Sequence, residues 1–149
     1  MMIVEFYDTV PDDLLKFAVI LSRTQGKWIL CKHKERGTFE VPGGMREDGE
    51  SILETAKREL YEEAGAIRFE IKPICAYSYS VTDNINLKSD KTFGMLYFAK
   101  IDSFEDELHY EIEKIILSDQ LIAEWTYSEI MPELLEEAKR RNFIRAFRC

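Results

Sequence analysis

The first half of the chain alternates between strand-like apolar runs and polar breaks. Residues 16–22 (KFAVILS) and 27–32 (KWILCK) are rich in β-branched and aromatic residues, and a polar segment with a glycine separates them. These two runs predict a β-hairpin. Residues 38–42 predict a further short strand, which stops at Gly43 and Gly44 because two glycines allow the backbone to bend sharply.

The pattern becomes helical between residues 51 and 64. Four apolar residues recur on one side and predict a helix anchored in the core, namely Leu53, Ala56, Leu60 and Ala64. Ser51 and Glu54 have the spacing of a capping box at its start, and Gly65 occupies the usual position after a helix end.

The second half returns to strands and closes with a helix. Residues 68–81, 92–101 and 114–117 predict strands, with the polar loop TDNINLKSD after the first of them. A last helical pattern follows Ser128, with Ile130, Leu134, Leu135 and Ala138 on one side and Pro132 in the first turn. Strands mixed with one central and one terminal helix predict an α/β or α+β sandwich, a mixed sheet with a helix on each face. Without a linker or repeat, residues 1–149 are expected to form one domain.

Composition excludes several classes of protein. The net charge of -8 argues against a surface that grips long DNA or RNA by charge, although an acidic protein still binds phosphate through metal ions. The three cysteines are widely spaced and form no CxxC motif, so a disulfide framework or zinc site is not expected. The acidic N-terminus and the lack of an apolar run of ~18 residues give no sign of export or membrane insertion, and the cysteine pattern predicts a cytoplasmic location.

Three glutamates carry the clearest chemical signal. Glu59, Glu62 and Glu63 fall at helical offsets that place them on one face, where like charges repel unless a cation lies nearby. A solvated acidic face is the alternative for such a pattern taken alone. The preceding glycine pair and the apolar side of the helix hold the acidic face in a fixed place. A site for Mg²⁺ or Mn²⁺ is therefore favoured, with a diphosphate as bridging ligand.

The whole segment from Gly44 to Ala66 resembles the Nudix box. Its specified positions are filled without a gap by Gly44, Glu50, Arg58, Glu59, Leu60, Glu62, Glu63 and Gly65. Ala66 is smaller than the usual last aliphatic residue, and Phe39 stands where the family often has Trp before its Pro-Gly-Gly. The resemblance implies the family's α/β/α sandwich and is greatest to the MutT-like branch.

This resemblance implies roles for individual residues. Glu59, Glu62, Glu63 and the Gly43 carbonyl would ligate the metal, Arg58 would orient the carboxylates, and Gly43 and Gly44 would contact substrate. Glu50 would support the helix start. The proton of the attacking water would go to Glu59 or, as second choice, to Glu111, with the neighbouring Glu107 and Glu113 less favoured. No covalent nucleophile is needed.

Other residues near the motif have two interpretations each. Arg36 precedes and Arg46 follows the glycine pair closely enough to clamp substrate phosphates, and His33 is expected to be solvated. The aromatic residues Tyr77, Tyr79 and Phe93 would stack on a base or, more commonly for strands, belong to the core. Buried filler is the expectation for Cys31 and Cys75.

The implied reaction is hydrolysis of a nucleoside triphosphate, such as the oxidised purine 8-oxo-dGTP, to a monophosphate and diphosphate. ADP-sugars and dinucleoside polyphosphates are alternatives, although no cleanly matching marker for either is present. A nucleotide-sensing module is disfavoured by the intact glutamates, and an isomerase by the lack of a suitable cysteine. The expected partner is a small nucleotide, bound by a monomer or homodimer.

Overall fold

The computed structural model describes residues 2–82, 90–106, 112–121 and 124–144, except the side chains of His33 and residues 112–114. These residues form eight strands, two α-helices and a 3₁₀ segment at Asp12–Leu14. The strands are β1 (Met2–Tyr7), β2 (Leu15–Thr24), β3 (Lys27–His33), β4 (Phe39–Glu40), β5 (Gly43–Met45), β6 (Ala66–Val81), β7 (Thr92–Phe104) and β8 (Ile112–Ser118). The helices are α1 (Ile52–Ala64) and α2 (Met131–Arg140).

The described strands join in one mixed sheet. Its order is β1-β6-β7-β2-β3-β4, with β5 also paired to β2 and β8 to β3. Strands β2 and β7 run parallel, and the other pairs are antiparallel. The predicted hairpin is β2 and β3, joined by Gln25 and Gly26 at φ values of 50° and 78°. Two residues at positive φ suit the right-handed twist of a hairpin.

Side chains on the central strands alternate between two cores. On β2, Ala18 and Ile20 face one core, whereas Val19 and Leu21 face the other, because successive side chains of a strand point to opposite sides. The first core receives Ala56, Leu60 and Ala64 of α1. The second receives Leu134, Leu135 and Ala138 of α2. The predicted sandwich, a mixed sheet with a helix on each face, is confirmed.

The N-terminal strand β1 was not predicted. It pairs antiparallel with β6, from Met2 opposite Val81 to Tyr7 opposite Ala76. All six of its residues are half-buried, because the strand lies at the end of the sheet order and pairs on one side. Its short run MIVEFY lacks the strict alternation that marks a strand with one buried face.

The helix α1 has the predicted ends but a different buried face. The Ser51 hydroxyl accepts from the Glu54 N–H, and Glu54 accepts from the Ser51 N–H, while Gly65 closes the helix at φ 70°. The prediction for Leu53 was wrong, since this residue is 39% exposed and Ile52 is buried instead. Steps of four residues from Ile52 reach the other core residues, and Leu53 is turned about 100° away from that line.

The second-half strands are confirmed with longer bounds. β6 and β7 extend the predicted runs, and β8 begins at Ile112. The helix α2 begins at Met131, and Ser128 does not cap it, since the cap position is Ile130 without a side-chain bond. In the part of the chain that the structure describes, no helix combines the length and apolar character needed to cross a membrane.

Candidate active site

The glycine pair lies against both the central sheet and the helix α1. Gly44 is opposite Ala18, and Gly43 opposite Val19, in the antiparallel pairing of β5 with β2. A Cβ atom at Gly43 would lie 2.6 Å from the carbonyl oxygen of Ala18, and one at Gly44 would lie 2.3 Å from Oε1 of Glu59. Any side chain at either position would therefore have to displace a neighbour.

The structure brings two of the three predicted carboxylates of α1, those of Glu59 and Glu63, to this glycine pair. The Glu59 and Glu62 side chains are 12% and 28% exposed, and Glu63 is buried. The N–H of Gly43 donates to Oε1 of Glu63 over 2.7 Å. One end of the acidic face is thus fixed to the loop backbone, while Glu62 stays accessible to solvent.

Arg58 connects the carboxylates to the loop before the helix. Its Nη1 donates to Oε1 of Glu59 at 2.8 Å and to Oε2 of Glu62 at 3.2 Å. Its Nε donates to Oε2 of Glu50 at 2.6 Å, and Nη2 reaches Oε1 of Glu50 at 3.1 Å and the Met45 carbonyl at 2.9 Å. The planar guanidinium supplies these donors in fixed directions, so Arg58 links Glu50, Glu59 and Glu62 to one another.

Burial makes the inner carboxylates harder to ionise. Desolvation raises the pKa of Glu59 to about 7 against the opposing effect of Arg58. Desolvation also raises the pKa of Glu63 to about 8, against the Gly43 hydrogen bond, and the charge of Glu59 adds to it. Hydrogen bonds from Arg58 instead lower the pKa of Glu50 to about 2. Arg58 therefore does not offset the cost of burying the charged forms of Glu59 and Glu63.

The donor chemistry of this cluster fits a hard divalent cation. Carboxylate oxygens are the ligands that Mg²⁺ and Mn²⁺ prefer, and a nearby cation would favour the ionised forms of Glu59 and Glu63 against the desolvation that raises both pKa values. Within the described ranges, however, no group of three or more His, Cys, Asp or Glu side chains is already gathered around a common point. The oxygens of Glu59 and Glu63 are held by Arg58 and the Gly43 N–H instead. These hydrogen bonds leave room for metal ligation, since a carboxylate has two oxygens with about four lone-pair sites.

A cavity of about 480 Å³ opens beside the glycine pair. Its lining is mostly apolar and aromatic, and Gly43 and Gly44 belong to its wall. The rings of Phe17 and Tyr79 lie in the lining with centroids 6.4 Å apart, and Tyr127 lies on its exposed side at 54% exposure. A planar ring system fits such a lining, because aromatic walls offer faces for stacking.

Arg36 lies next to this cavity and contacts protein groups. Its Nη1 donates to Oε2 of Glu40 over 2.8 Å, in an ion pair between a half-exposed and a buried side chain. A hydrogen bond with Tyr127, followed by the bond with Glu40, raises the pKa of Arg36. Direct contact of Arg36 with substrate phosphate stays a prediction.

Arg46 has a structural position. Its guanidinium donates to the carbonyl and carboxylate of Asp12, to the Leu15 carbonyl at 3.0 Å and to the Glu50 carbonyl at 2.7 Å. The other carboxylate oxygen of Asp12 accepts from the Ile52 N–H at 3.2 Å. Arg46 therefore ties the 3₁₀ segment to the loop before α1, and its contact with substrate phosphate stays a prediction.

Several predicted residues fall outside the description. Glu111, the second choice for the base, and Glu107 lie outside the described residues, as does the side chain of Glu113. Their roles stay predictions. The prediction that Tyr77, Cys31 and Cys75 belong to the core is confirmed, since all three are buried.

Two residues at the cavity, Glu40 and Tyr127, were missed as functional candidates. Glu40 is a charged residue in a short strand beside the glycine pair, which is a usable signal. Tyr127 lies between β8 and α2, with no motif around it.

Comparison with known proteins decides the family. A model of the NUDIX domain matches residues 14–147. The chain belongs to the Nudix family. This Nudix protein is 31% identical over 140 residues to YtkD of Bacillus subtilis strain 168, provisionally named an 8-oxo-dGTP diphosphatase, across 93% of this chain and 78% of YtkD.

Solved structures agree with this assignment. The Nudix chain is 26% identical to a variant of the Bacillus subtilis pyrophosphohydrolase BsRppH, with a TM-score of 0.74 over 97% of this chain and 93% of BsRppH. A UDP-X diphosphatase shares the fold at 18% identity and a TM-score of 0.66, over 89% of this chain and 63% of that one. The protein is a Nudix pyrophosphohydrolase that acts on phosphorus-containing anhydrides, and the family generally requires divalent metal ions.

Proposed function

We propose that this Nudix hydrolase cleaves a nucleoside triphosphate to a monophosphate and diphosphate, with Mg²⁺ or Mn²⁺ as cofactor. The observation that carries the proposal is that the glycine pair separates the cavity from the carboxylates of α1. Gly43 and Gly44 line the aromatic cavity on one side and contact Glu59 and Glu63 on the other. A base in the cavity would therefore leave its phosphate chain beside the carboxylates.

The bound metal would neutralise phosphate oxygens and lower the pKa of an attacking water. Glu59, Glu62 and Glu63 would hold it, with the Gly43 carbonyl as a further ligand. Arg58 would keep the carboxylates oriented through its bonds to Glu59 and Glu62. Gly44 lets Glu59 approach the loop, because any side chain there would occupy the space of the carboxylate.

Glu59 is the first choice for the proton acceptor. Its carboxylate lies against Gly44 in the wall of the cavity, where the phosphate chain of a bound nucleotide would pass. Its carboxylate is mostly buried, so bulk water competes little for that proton. Glu111 is the second choice.

The alternative substrates have the same diphosphate but another group attached. ADP-sugars and dinucleoside polyphosphates would also place a base near the metal, so the product pattern distinguishes them. A non-catalytic nucleotide sensor is disfavoured by the intact carboxylates and their connection through Arg58.

The test is a substrate panel of dGTP, 8-oxo-dGTP, dATP, ADP-ribose and a dinucleoside tetraphosphate, each with Mg²⁺ or Mn²⁺. Hydrolysis of the triphosphates with release of diphosphate supports the proposal, and release of inorganic phosphate alone contradicts it. Glu62→Gln should reduce kcat on the order of 10²- to 10³-fold, by removal of one preorganised electrostatic contact. Glu70→Gln, the same charge change at an exposed position on β6, is the matched control. Equal loss in both variants would exclude a metal role for Glu62.

We also propose a cytoplasmic setting and a monomer or homodimer. The buried thiols of Cys31 and Cys75 are free, which suits a reducing compartment. Light scattering of the purified chain would measure its oligomeric state.

A further inference from the structure

The described lining of the cavity contains one charged side chain, that of Glu40. Its neighbours in the lining are apolar or aromatic, and three of them carry phenol hydroxyls, namely Tyr77, Tyr79 and Tyr127. A carboxylate in such a wall is costly to bury, so its position needs an explanation beyond packing.

Arg36 holds Glu40 in place. Glu40 is 8% exposed and lies on β4, where it pairs with Cys31 of β3. Its Oε2 accepts from Arg36 at 2.8 Å, and Arg36 also bonds to Tyr127 on the exposed side of the cavity. The guanidinium supports the negative charge from outside the cavity and links it to an aromatic ring at the rim. A fixed carboxylate with this support suits recognition, because its orientation is set before a ligand arrives.

The chemistry of a carboxylate determines which base edge it recognises. Its oxygens only accept hydrogen bonds, and two of them together match a pair of adjacent N–H donors. A 2-amino-6-oxopurine such as guanine presents that pair, at N1 and the 2-amino group. Adenine instead presents a lone pair at N1, which a carboxylate repels.

We propose that Glu40 selects the base of the substrate by accepting hydrogen bonds from the 2-amino-6-oxopurine edge. This inference rests on the proposed function, since it assumes that the cavity holds the base of a nucleotide. Glu40 is then a specificity-determining residue, and Arg36 is a positioning residue that acts through it.

A competing role for Glu40 would be support of the α1 carboxylates that are proposed to hold the metal. Its charge contributes to the raised pKa of Glu63, so the two carboxylates are close enough to interact. The two roles differ in what a substitution does. Loss of base recognition changes the ratio of activities between nucleotides, whereas loss of cluster support lowers all activities by the same factor.

The experiment compares wild type with Glu40→Gln on dGTP, dITP and dATP, with kcat and KM measured separately. The wild type should prefer dGTP over dATP by about 10- to 100-fold in kcat/KM, a range typical of a good bidentate base contact. dITP lacks the 2-amino group and should lie between them. The amide of Glu40→Gln both donates and accepts, so the preference should fall at least about tenfold and appear mainly in KM. Glu70→Gln should keep the wild-type ratio, since Glu70 is exposed on β6.

A binding arm separates this inference from the proposed function. Calorimetric titration with dGMP and dAMP needs no turnover, and dGMP should bind more tightly to wild type but not to Glu40→Gln. If the triphosphates are not hydrolysed but this binding difference is found, the proposed function fails and the inference stands. If the triphosphates are hydrolysed with a ratio unchanged in Glu40→Gln, the inference is wrong. An equal fall in kcat on all three substrates would show that Glu40 supports the metal-binding carboxylates instead, and would also overturn the inference.

Discussion

The contact between Gly44 and Glu59 allows a sharp test of the candidate site. In Gly44→Ala, the new Cβ would lie 2.3 Å from Oε1, 2.4 Å from Cδ and 2.8 Å from Oε2 of Glu59. An ordinary contact begins near 3.4 Å, so the carboxylate must move by roughly 1 Å (3.4 minus 2.3). That movement breaks its 2.8 Å bond to Arg58. We expect kcat to fall on the order of 10²-fold, an effect that a 1 Å misplacement of a catalytic group can have.

The same change should cost little stability. The displaced group is the end of a flexible side chain, so the loss is about one hydrogen bond, ~0.5–1.5 kcal/mol. Replacing glycine by alanine at an unstrained backbone position returns ~0.4–1 kcal/mol. These contributions nearly cancel, and the melting temperature should stay within a few degrees of wild type.

Gly43→Ala is the matched comparison. Its Cβ would lie 2.6 Å from the Ala18 carbonyl oxygen and 3.2 Å from the Val19 Cα. These are backbone atoms of β2, which cannot rotate aside, so we expect a loss of about 1–3 kcal/mol in the free energy of unfolding. The same substitution at two neighbouring glycines should therefore reduce stability at Gly43 and activity at Gly44.

The assay measures kcat on the best substrate of the panel across a Mg²⁺ titration, together with thermal unfolding by circular dichroism. A Gly44→Ala variant with kcat within threefold of wild type would refute the proposed position of Glu59. The reasoning would also fail if Gly44→Ala lowered the melting temperature as much as Gly43→Ala, because the strain would then lie in the backbone.

Two further predictions concern Arg58 and the thiols. Arg58→Lys keeps the positive charge but loses the guanidinium donors that reach three glutamates and the Met45 carbonyl. The kcat should therefore fall by roughly 10- to 100-fold at saturating Mg²⁺. An unchanged kcat would show that the charge alone suffices. Burial raises the pKa of Cys75 to about 11 and that of Cys31 well above its usual range. Iodoacetamide at pH 8 should therefore alkylate both thiols at least about 100-fold more slowly than free cysteine. Alkylation should accelerate only as the pH rises towards 11 or in denaturant. Mass spectrometry of Cys149→Ser measures this, since Cys149 lies outside the described residues. Rapid alkylation of the native variant would contradict the burial.

Local patterns accounted for the helix that carries the site. Its capping box and closing glycine are determined by neighbouring residues, and both were predicted from Ser51, Glu54 and Gly65. The strands β2, β3, β6 and β7 were predicted for the same reason, because alternation and turn residues are local properties. The strand β1 was missed because its stability comes from pairing with residues more than 60 positions away.

The sequence alone determined the spacing of Glu59, Glu62 and Glu63, together with the glycine pair and the arginine that precede them. Helical geometry converts that spacing into a shared face. Only the tertiary structure decided which groups these residues contact and what surrounds them. It turned Leu53 outward, tied Arg46 to Asp12 and directed Arg36 towards Glu40 and Tyr127. The physical reason is distance along the chain: Arg36 and Tyr127 meet because separate elements pack on one sheet, and no local pattern records that meeting.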